Sequence, residues 1–307
     1  MNKWLPNFTE EVQRLLGYSP TTARAYASDI RRFLDYLKAQ GRPVPPQELS
    51  EEDVIGFLRA EAQQGRRRTT VHRRLASLRV LERCLLMTQR IEQGFIPPEE
   101  RLVDVLERSL PPRPTTCLSS EDLQRLWQTL LASGKRQASR DLAMIALLVE
   151  WGFPVNLLLK MEMHQVDMEQ KAVWLPHVGG TLEKWPLDRA YAPLRRYLSQ
   201  SRNDFVRRES EMHVFLSQQG GALSRQSVWH ALRQWGMMAN LEAMLTPRLL
   251  RATAAYRMMK ANVPPHTIGA AMGHTNPLST SLLLRRLRGA CNDQPPAELP
   301  LIKDEAL

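Results

Sequence analysis

Five prolines fall within the 22 residues FIPPEERLVDVLERSLPPRPTT, positions 95–116. Proline fixes φ and has no N–H to donate, so so dense a run is not the middle of a helix or a central strand. It cuts the 307 residues into two parts, each long enough for a core of its own. A Pro-rich connector of this kind is expected to be extended and semi-rigid. The boundaries that follow are a first domain over 1–94, a linker over 95–116, a second domain over 117–289 and a tail over 290–307. A hydrophobic content of 43% is enough for real cores on both sides.

Before the linker the pattern is helical. Residues from about Asn7 to Leu16 form one helix; Ser19 is placed to cap a second, which Pro20 opens and Gly41 ends. Tyr26, Ile30, Phe33, Leu34 and Leu37 recur at helical spacing, leaving Thr22, Arg24 and Arg31 off the apolar stripe. Ser50, Glu51 and Asp53 start a third helix, broken by Gly65. A fourth begins in RRRTTVHRRLASLRVLERCLL, with Val71, Leu75, Leu78, Leu81 and Leu85 as its buried stripe. Arg66, Arg67, Arg68, Arg73 and Arg74, with Thr69 and Thr70, crowd its start. Positive charge there opposes the helix dipole, which makes sense if an anion arrives to neutralise it. The plainer reading of an arginine run is a solvated face.

The whole chain carries 42 Lys+Arg against 32 Asp+Glu, a net charge of +10, and its pI lies near 9.9. That points to a polyanionic partner, and nucleic acid fits better than a membrane surface. With no run of eighteen apolar residues and no charged-then-apolar leader, the chain is expected to be cytoplasmic. Cys84, Cys117 and Cys291 are odd in number and lack CxxC spacing, so they read as reduced thiols with neither disulfide nor zinc site. No metal and no cofactor is expected.

After the linker, Ser119 or Ser120 caps a helix containing Leu123, Leu126 and Trp127. An apolar helix from about Arg140 to Trp151 is stopped by Gly152. KAVWLPH, the turn VGG and TLEKWPLD give the only good strand signals, a hairpin or small sheet over 171–187. The fold class is therefore mainly α with a small antiparallel β-sheet. Tyr191 to Arg202 reads as a helix with Leu194 and Leu198 inward and Arg195, Arg196 and Arg202 outward. Ser224 caps another, with Val228, Leu232 and Trp235 on its apolar face. Thr246 to Arg288 holds three short helices: Thr246 and Pro247 start the first, Pro264-Pro265 the second and Asn276-Pro277 the third, with Gly273 closing the second. Arg248 and Arg251 share one helix face and His274 follows the next turn. Two guanidiniums and an imidazole converging could hold a phosphate.

This block resembles the C-terminal motifs of tyrosine recombinases, the phage-integrase and Xer family. The family has His-x-x-Arg opening one helix, then a Gly-His turn, then a nucleophilic tyrosine. Here Arg251 fills the arginine and Gly273-His274 the turn, while Arg248 stands for the histidine and Leu283 for the tyrosine. No tyrosine follows Tyr256. The family's Gly-Leu-Arg-x-x-Glu matches Gly152, Phe153, Pro154 and Leu157, so its arginine has become Pro154 and its glutamate Leu157. Its β-turn lysine matches Gly179-Gly180-Thr181, with Lys184 three residues on. LSSEDL at 118–123 resembles the start of the family's catalytic domain, and residues 1–94 its helical, SAM-like core-binding domain.

The resemblance implies a two-domain clamp on double-stranded DNA. Thr22, Arg24, Arg31, the arginines and threonines of the fourth helix, Lys184, Arg225, Gln226, Ser227, Arg248, Arg251 and His274 would make the contacts. An exposed strand lysine such as Lys184 is also simply a surface lysine. Strand cleavage needs a nucleophile, cations and an acid for the leaving oxygen, so without the tyrosine a catalytically silent accessory or regulator in recombination, integration or mobile-element maintenance is expected. The alternatives are a recombinase using a tyrosine from a partner subunit and a transcriptional or partition DNA binder. The Pro-containing tail is expected to be disordered or to dock through its Leu and Ile on another protomer, either itself or an intact tyrosine recombinase.

Overall fold

The structure is a computed structural model and describes residues 7–42, 45–109, 111, 116–176, 180–208, 211–291 and 295–300. It divides into two compact units, Met1–Arg113 and Pro114–Leu307, each with its own core.

Unit 1 holds α1 (Phe8–Leu16), α2 (Pro20–Ala39), α3 (Glu51–Gln63), α4 (Arg68–Met87) and α5 (Glu99–Glu107). The starts follow from local chemistry. Ser19 Oγ accepts from the Thr22 N–H with Pro20 in the first position, and Ser50 and Asp53 form a reciprocal capping box. Phe33, Phe57, Leu58, Leu75 and Leu78 meet in the core, and α4 packs on α1, α2, α3 and α5. The expected extended linker is corrected here: α5 lies inside it, and its Leu102 and Val105 are buried in the unit 1 core. Pro97 and Pro98 precede that helix and Pro111 follows it, so the prolines bound a helix instead of forbidding one. Leu110 and residues 112–115 lie outside the described residues.

Unit 2 holds α6 (Ser120–Leu131), α7 (Ala138–Glu150), α8 (Val155–Leu159), β1 (Val166–Asp167), β2 (Ala172–Pro176), β3 (Leu182–Pro186), α9 (Tyr191–Arg196), α10 (Arg225–Met238), α11 (Pro247–Lys260), α12 (Pro265–Ala271) and α13 (Pro277–Cys291). The strands form one antiparallel sheet in the order β1-β2-β3, with Val173 opposite Trp185. The mainly helical class with a small antiparallel sheet is as expected. Gly179 of the expected turn lies outside the described residues. α7 is buried from Ala138 to Val149 apart from Ser139, and α6, α9 and α11 surround it. Ser119 caps α6 in a capping box with Asp122.

Three further expectations are corrected. Arg202 is buried: its Nη2 donates to the His213 carbonyl at 2.6 Å and the Glu211 carbonyl at 3.0 Å. Cys117 and Cys291 are joined in a disulfide with Cα atoms 6.5 Å apart, and Cys84 alone is a free, buried thiol. The cysteines are 174 positions apart, so the fold makes the pair and no spacing rule reveals it. Finally, tail residues 295–300 dock in cis. Ala297 and Leu299 are buried in the unit 2 core, and the Glu298 N–H donates to Ser120 Oγ at 3.2 Å. Residues 292–294 and 301–307 lie outside the described residues. Among the described residues no helix is long and apolar enough to cross a membrane, and no group of three or more His, Cys, Asp or Glu could hold a metal.

Candidate nucleic-acid interface

Of the unit 2 residues expected to hold a phosphate, Arg251 and His274 lie close enough to interact, but not as free donors. Thr246 caps α11 through Leu249 N–H, which puts Arg248 on the exposed first turn. One turn on, Arg251 points inward. Its Nε donates to the Gly152 carbonyl at 2.8 Å and its Nη2 to the Met272 carbonyl at 2.6 Å. Those bonds staple the loop after α7 to the turn after α12. Burial lowers the Arg251 pKa from its ordinary value, yet a guanidinium stays charged at any physiological pH. The same loop carries Pro154, whose ring lies so close to Gly273 that a Cβ there would sit 2.9 Å from Pro154 Cγ. Gly273 has φ +66, the left-handed conformation that closes a helix with glycine.

His274 follows and is half-buried, its Nδ1 2.9 Å from Thr280 Oγ1. Burial and then the positive charge of Arg251 push its pKa below the usual 6.5. At neutral pH it therefore offers a hydrogen bond more than a charge. The folded chain refuses a proton that the unfolded chain accepts, so His274 contributes stability above 6.5 that is lost as pH falls through its folded pKa. An NMR titration of the ring should show a midpoint below 6.5; a midpoint at or above it would contradict this placement.

His274 borders a groove of about 640 Å³ whose other walls include Thr181 and Glu183 of the hairpin, His266 and Ser281. Leu283 does not face it as a reactive group would. It is half-buried and packs against the apolar cluster that includes Ala252, Ala255, Tyr256 and Leu284. Lys184 is exposed on β3 and donates to Gln170 Oε1 at 2.5 Å. Arg225 and Gln226 are exposed on the first turn of α10, whose cap is Ser224.

In unit 1, Arg24 and Arg31 lie exposed on α2, and Thr22 is half-buried against Ser19. Arg66, Arg68 and Thr69 are exposed, while Arg67 and Thr70 are half-buried. Arg67 caps α4 without a side-chain bond to it, and no acidic residue lies in that first turn. Arg74 is corrected: it is 3% exposed, held against Glu61 and within 3.9 Å of Asp29, so no duplex can reach it. Arg73 is exposed but pairs with that same Asp29. Two groups escaped the sequence reading. Arg32 is exposed and close enough to Arg74 to lower its pKa, after burial. On α10, the Arg233 guanidinium stacks 4.8 Å from the exposed Trp229 ring, a pair four residues apart that a search for cation–π partners would have found.

Comparison with known proteins agrees with this architecture. Residues 116–284 match the phage integrase family, and residues 5–89 match the phage integrase N-terminal SAM-like domain. The tyrosine recombinase XerD of Shewanella oneidensis is 28% identical over 89% of this chain and 88% of its own length. The tyrosine recombinase XerC of a Roseiflexus species is 26% identical over 96% of this chain and 92% of its own. Among solved structures, a Tn1549 transposon integrase in complex with transposon right-end DNA aligns with a TM-score of 0.72 at 16% identity, covering 94% of this chain and 98% of that one. A lambda integrase dimer bound to a core site aligns at 0.64 with 14% identity, covering 99% of each chain. With a family match over more than half its length, on a helical unit followed by a helical unit with a small sheet, the chain belongs to the phage integrase family of tyrosine recombinases.

Proposed function

We propose that this protein binds double-stranded DNA through basic groups on both units without cutting it, and acts in the bacterial cytoplasm as an accessory or regulator of recombination, integration or mobile-element maintenance. The observation that carries the reading is Leu283, half-buried against an apolar cluster at the place where the family resemblance puts the nucleophile. The surroundings support it. Pro154 has neither side-chain charge nor N–H, and Arg251 spends two donors on carbonyls. Thr280, the hydroxyl bonded to His274, is 3% exposed and packed against Gly269, so it is no substitute nucleophile. Related proteins are solved with DNA bound, and the +10 charge suits that partner.

Purified protein is expected to shift duplex DNA with steep salt dependence and to form no covalent adduct on a suicide substrate. Alanine at Arg24, Arg31 and Arg68 together should lower the slope of log K against log salt by roughly 3, about one per lost phosphate contact. An adduct mapped to any residue, or a slope the triple variant leaves unchanged, would overturn the corresponding half. The names of the relatives, tyrosine recombinases over most of this chain's length, favour a second reading: activity with a tyrosine lent by a partner subunit. It predicts adduct formation only after mixing with an intact recombinase.

A further inference from the structure

We propose that Cys117 and Cys291 form a reversible redox latch that ties the end of α13, and the tail beyond it, to the start of unit 2. The inference stands apart from the DNA-binding reading and does not depend on it. α11 brings the two cysteines together independently of the sulfur bond. Its Thr253 Oγ1 accepts from the N–H of Leu118, next to Cys117, at 3.0 Å, and Tyr256 Oη donates to the Cys291 carbonyl at 2.5 Å. Thr253 and Tyr256 lie three positions apart on one helix face. The backbones are thus held at a Cα separation of 6.5 Å, inside the range a disulfide spans. Beyond the cysteines the same two chain segments meet again, where Glu298 N–H donates to Ser120 Oγ and Ala297 and Leu299 enter the core. Among the described residues these links, other than the sulfur bond, are hydrogen bonds and apolar contacts, the kind that opens locally and cheaply.

The chemistry balances with a low-molecular-weight disulfide as oxidant. The thiolate of Cys117, which is half-buried, attacks one sulfur of oxidised glutathione and expels one glutathione thiolate. The thiol of Cys291 then gives up its proton and attacks the Cys117 sulfur of the mixed disulfide, expelling the second glutathione. Two protein thiols are oxidised, one glutathione disulfide becomes two thiols, and the protons end on the departing glutathiones. Cys84 does not compete. It lies buried in unit 1, and burial pushes its thiol up to about 11, so it is protonated and shielded.

Closing the latch fixes α13 at its last residue while its first turn is held by the Asn276 side chain on the Leu278 N–H. Opening it leaves the Cys291 end of α13 and residues 295–300 held by hydrogen bonds and apolar contacts alone, which open more readily. The test uses the full chain, first reduced with a phosphine and then treated with oxidised glutathione. Thiol counting should fall from three to one of the three cysteines with no disulfide-linked dimer formed. Hydrogen exchange over 277–300 should slow by about tenfold on oxidation while exchange in unit 1 is unchanged. The variant Cys117→Ser with Cys291→Ser should exchange at the reduced rate in both conditions; if it does not fold, the two wild-type arms decide. Three free thiols after glutathione, a disulfide-linked dimer, or exchange over 277–300 indifferent to redox state would each overturn the latch.

Discussion

Replacing Arg74 by alanine is expected to cost unit 1 about 3–5 kcal/mol, because it strands buried carboxylates that the guanidinium neutralises. Asp29, Glu61 and Arg74 are 3%, 6% and 3% exposed. Asp29 also accepts from Ser77 Oγ at 2.8 Å and pairs with Arg73, and Arg66 lies 3.6 Å from Glu61. Arg73 and Arg66 lie at the surface and Ser77, though buried, is uncharged, so none takes the place of a charge lodged between α2, α3 and α4. The loss should appear as a lower urea midpoint with DNA affinity falling only as the folded fraction falls. Arg68→Ala, on the exposed start of the same helix, should move the midpoint by less than about 0.5 kcal/mol while weakening DNA binding. A stable Arg74→Ala protein with impaired DNA binding would reverse the assignment and make Arg74 a contact residue.

In unit 2 the comparable variant is Asp141→Ala, again expected to cost about 3–5 kcal/mol. Asp141 Oδ1 accepts from Arg140 Nε at 2.9 Å and Nη2 at 2.7 Å, and its Oδ2 from Trp235 Nε1 at 2.8 Å. Arg140 Nη1 continues to the Leu216 carbonyl at 2.8 Å. The network joins α7, α10 and the loop before α10. Deleting the carboxylate leaves a buried guanidinium and an indole N–H unpaired, whereas Asp141→Asn keeps an acceptor and should lose less. Thermal unfolding checks the order: wild type, then Asp141→Asn, then Asp141→Ala. Equal melting of all three would remove the network from the account of stability.

The helices were legible because their starts are local. Ser19-Pro20, Ser50 with Asp53, Ser119 with Asp122, Ser224 and Thr246-Pro247 all cap as written in the sequence. α5 was missed for a similarly local reason: weight on the proline count hid Glu99 and Glu100, acidic residues in its first turn just after Pro98. Arg74 sits three residues after Val71 and four before Leu78, on the buried stripe, so its burial was readable had its periodicity been given more weight than its charge. Arg251 is different. Whether it meets a phosphate or a carbonyl depends on residues 152 and 272, on two other segments. The cysteine pair, 174 positions apart, likewise belongs to the tertiary fold alone. The resemblance to recombinase motifs around Pro154 and Leu283 was visible as text, but the surroundings of those two residues were not.

The close approach of Pro154 to Gly273 bears on how such a chain can change over generations. A side chain at position 273 would have to adopt φ +66 and crowd the proline ring at 2.9 Å, so each residue restricts what is acceptable at the other. An arginine introduced at 154 would arrive beside a guanidinium already committed to the carbonyls on both sides of that contact. Position 273 therefore stays restricted to glycine whatever stands at 154, because its φ of +66 strains any other residue even where the space is open.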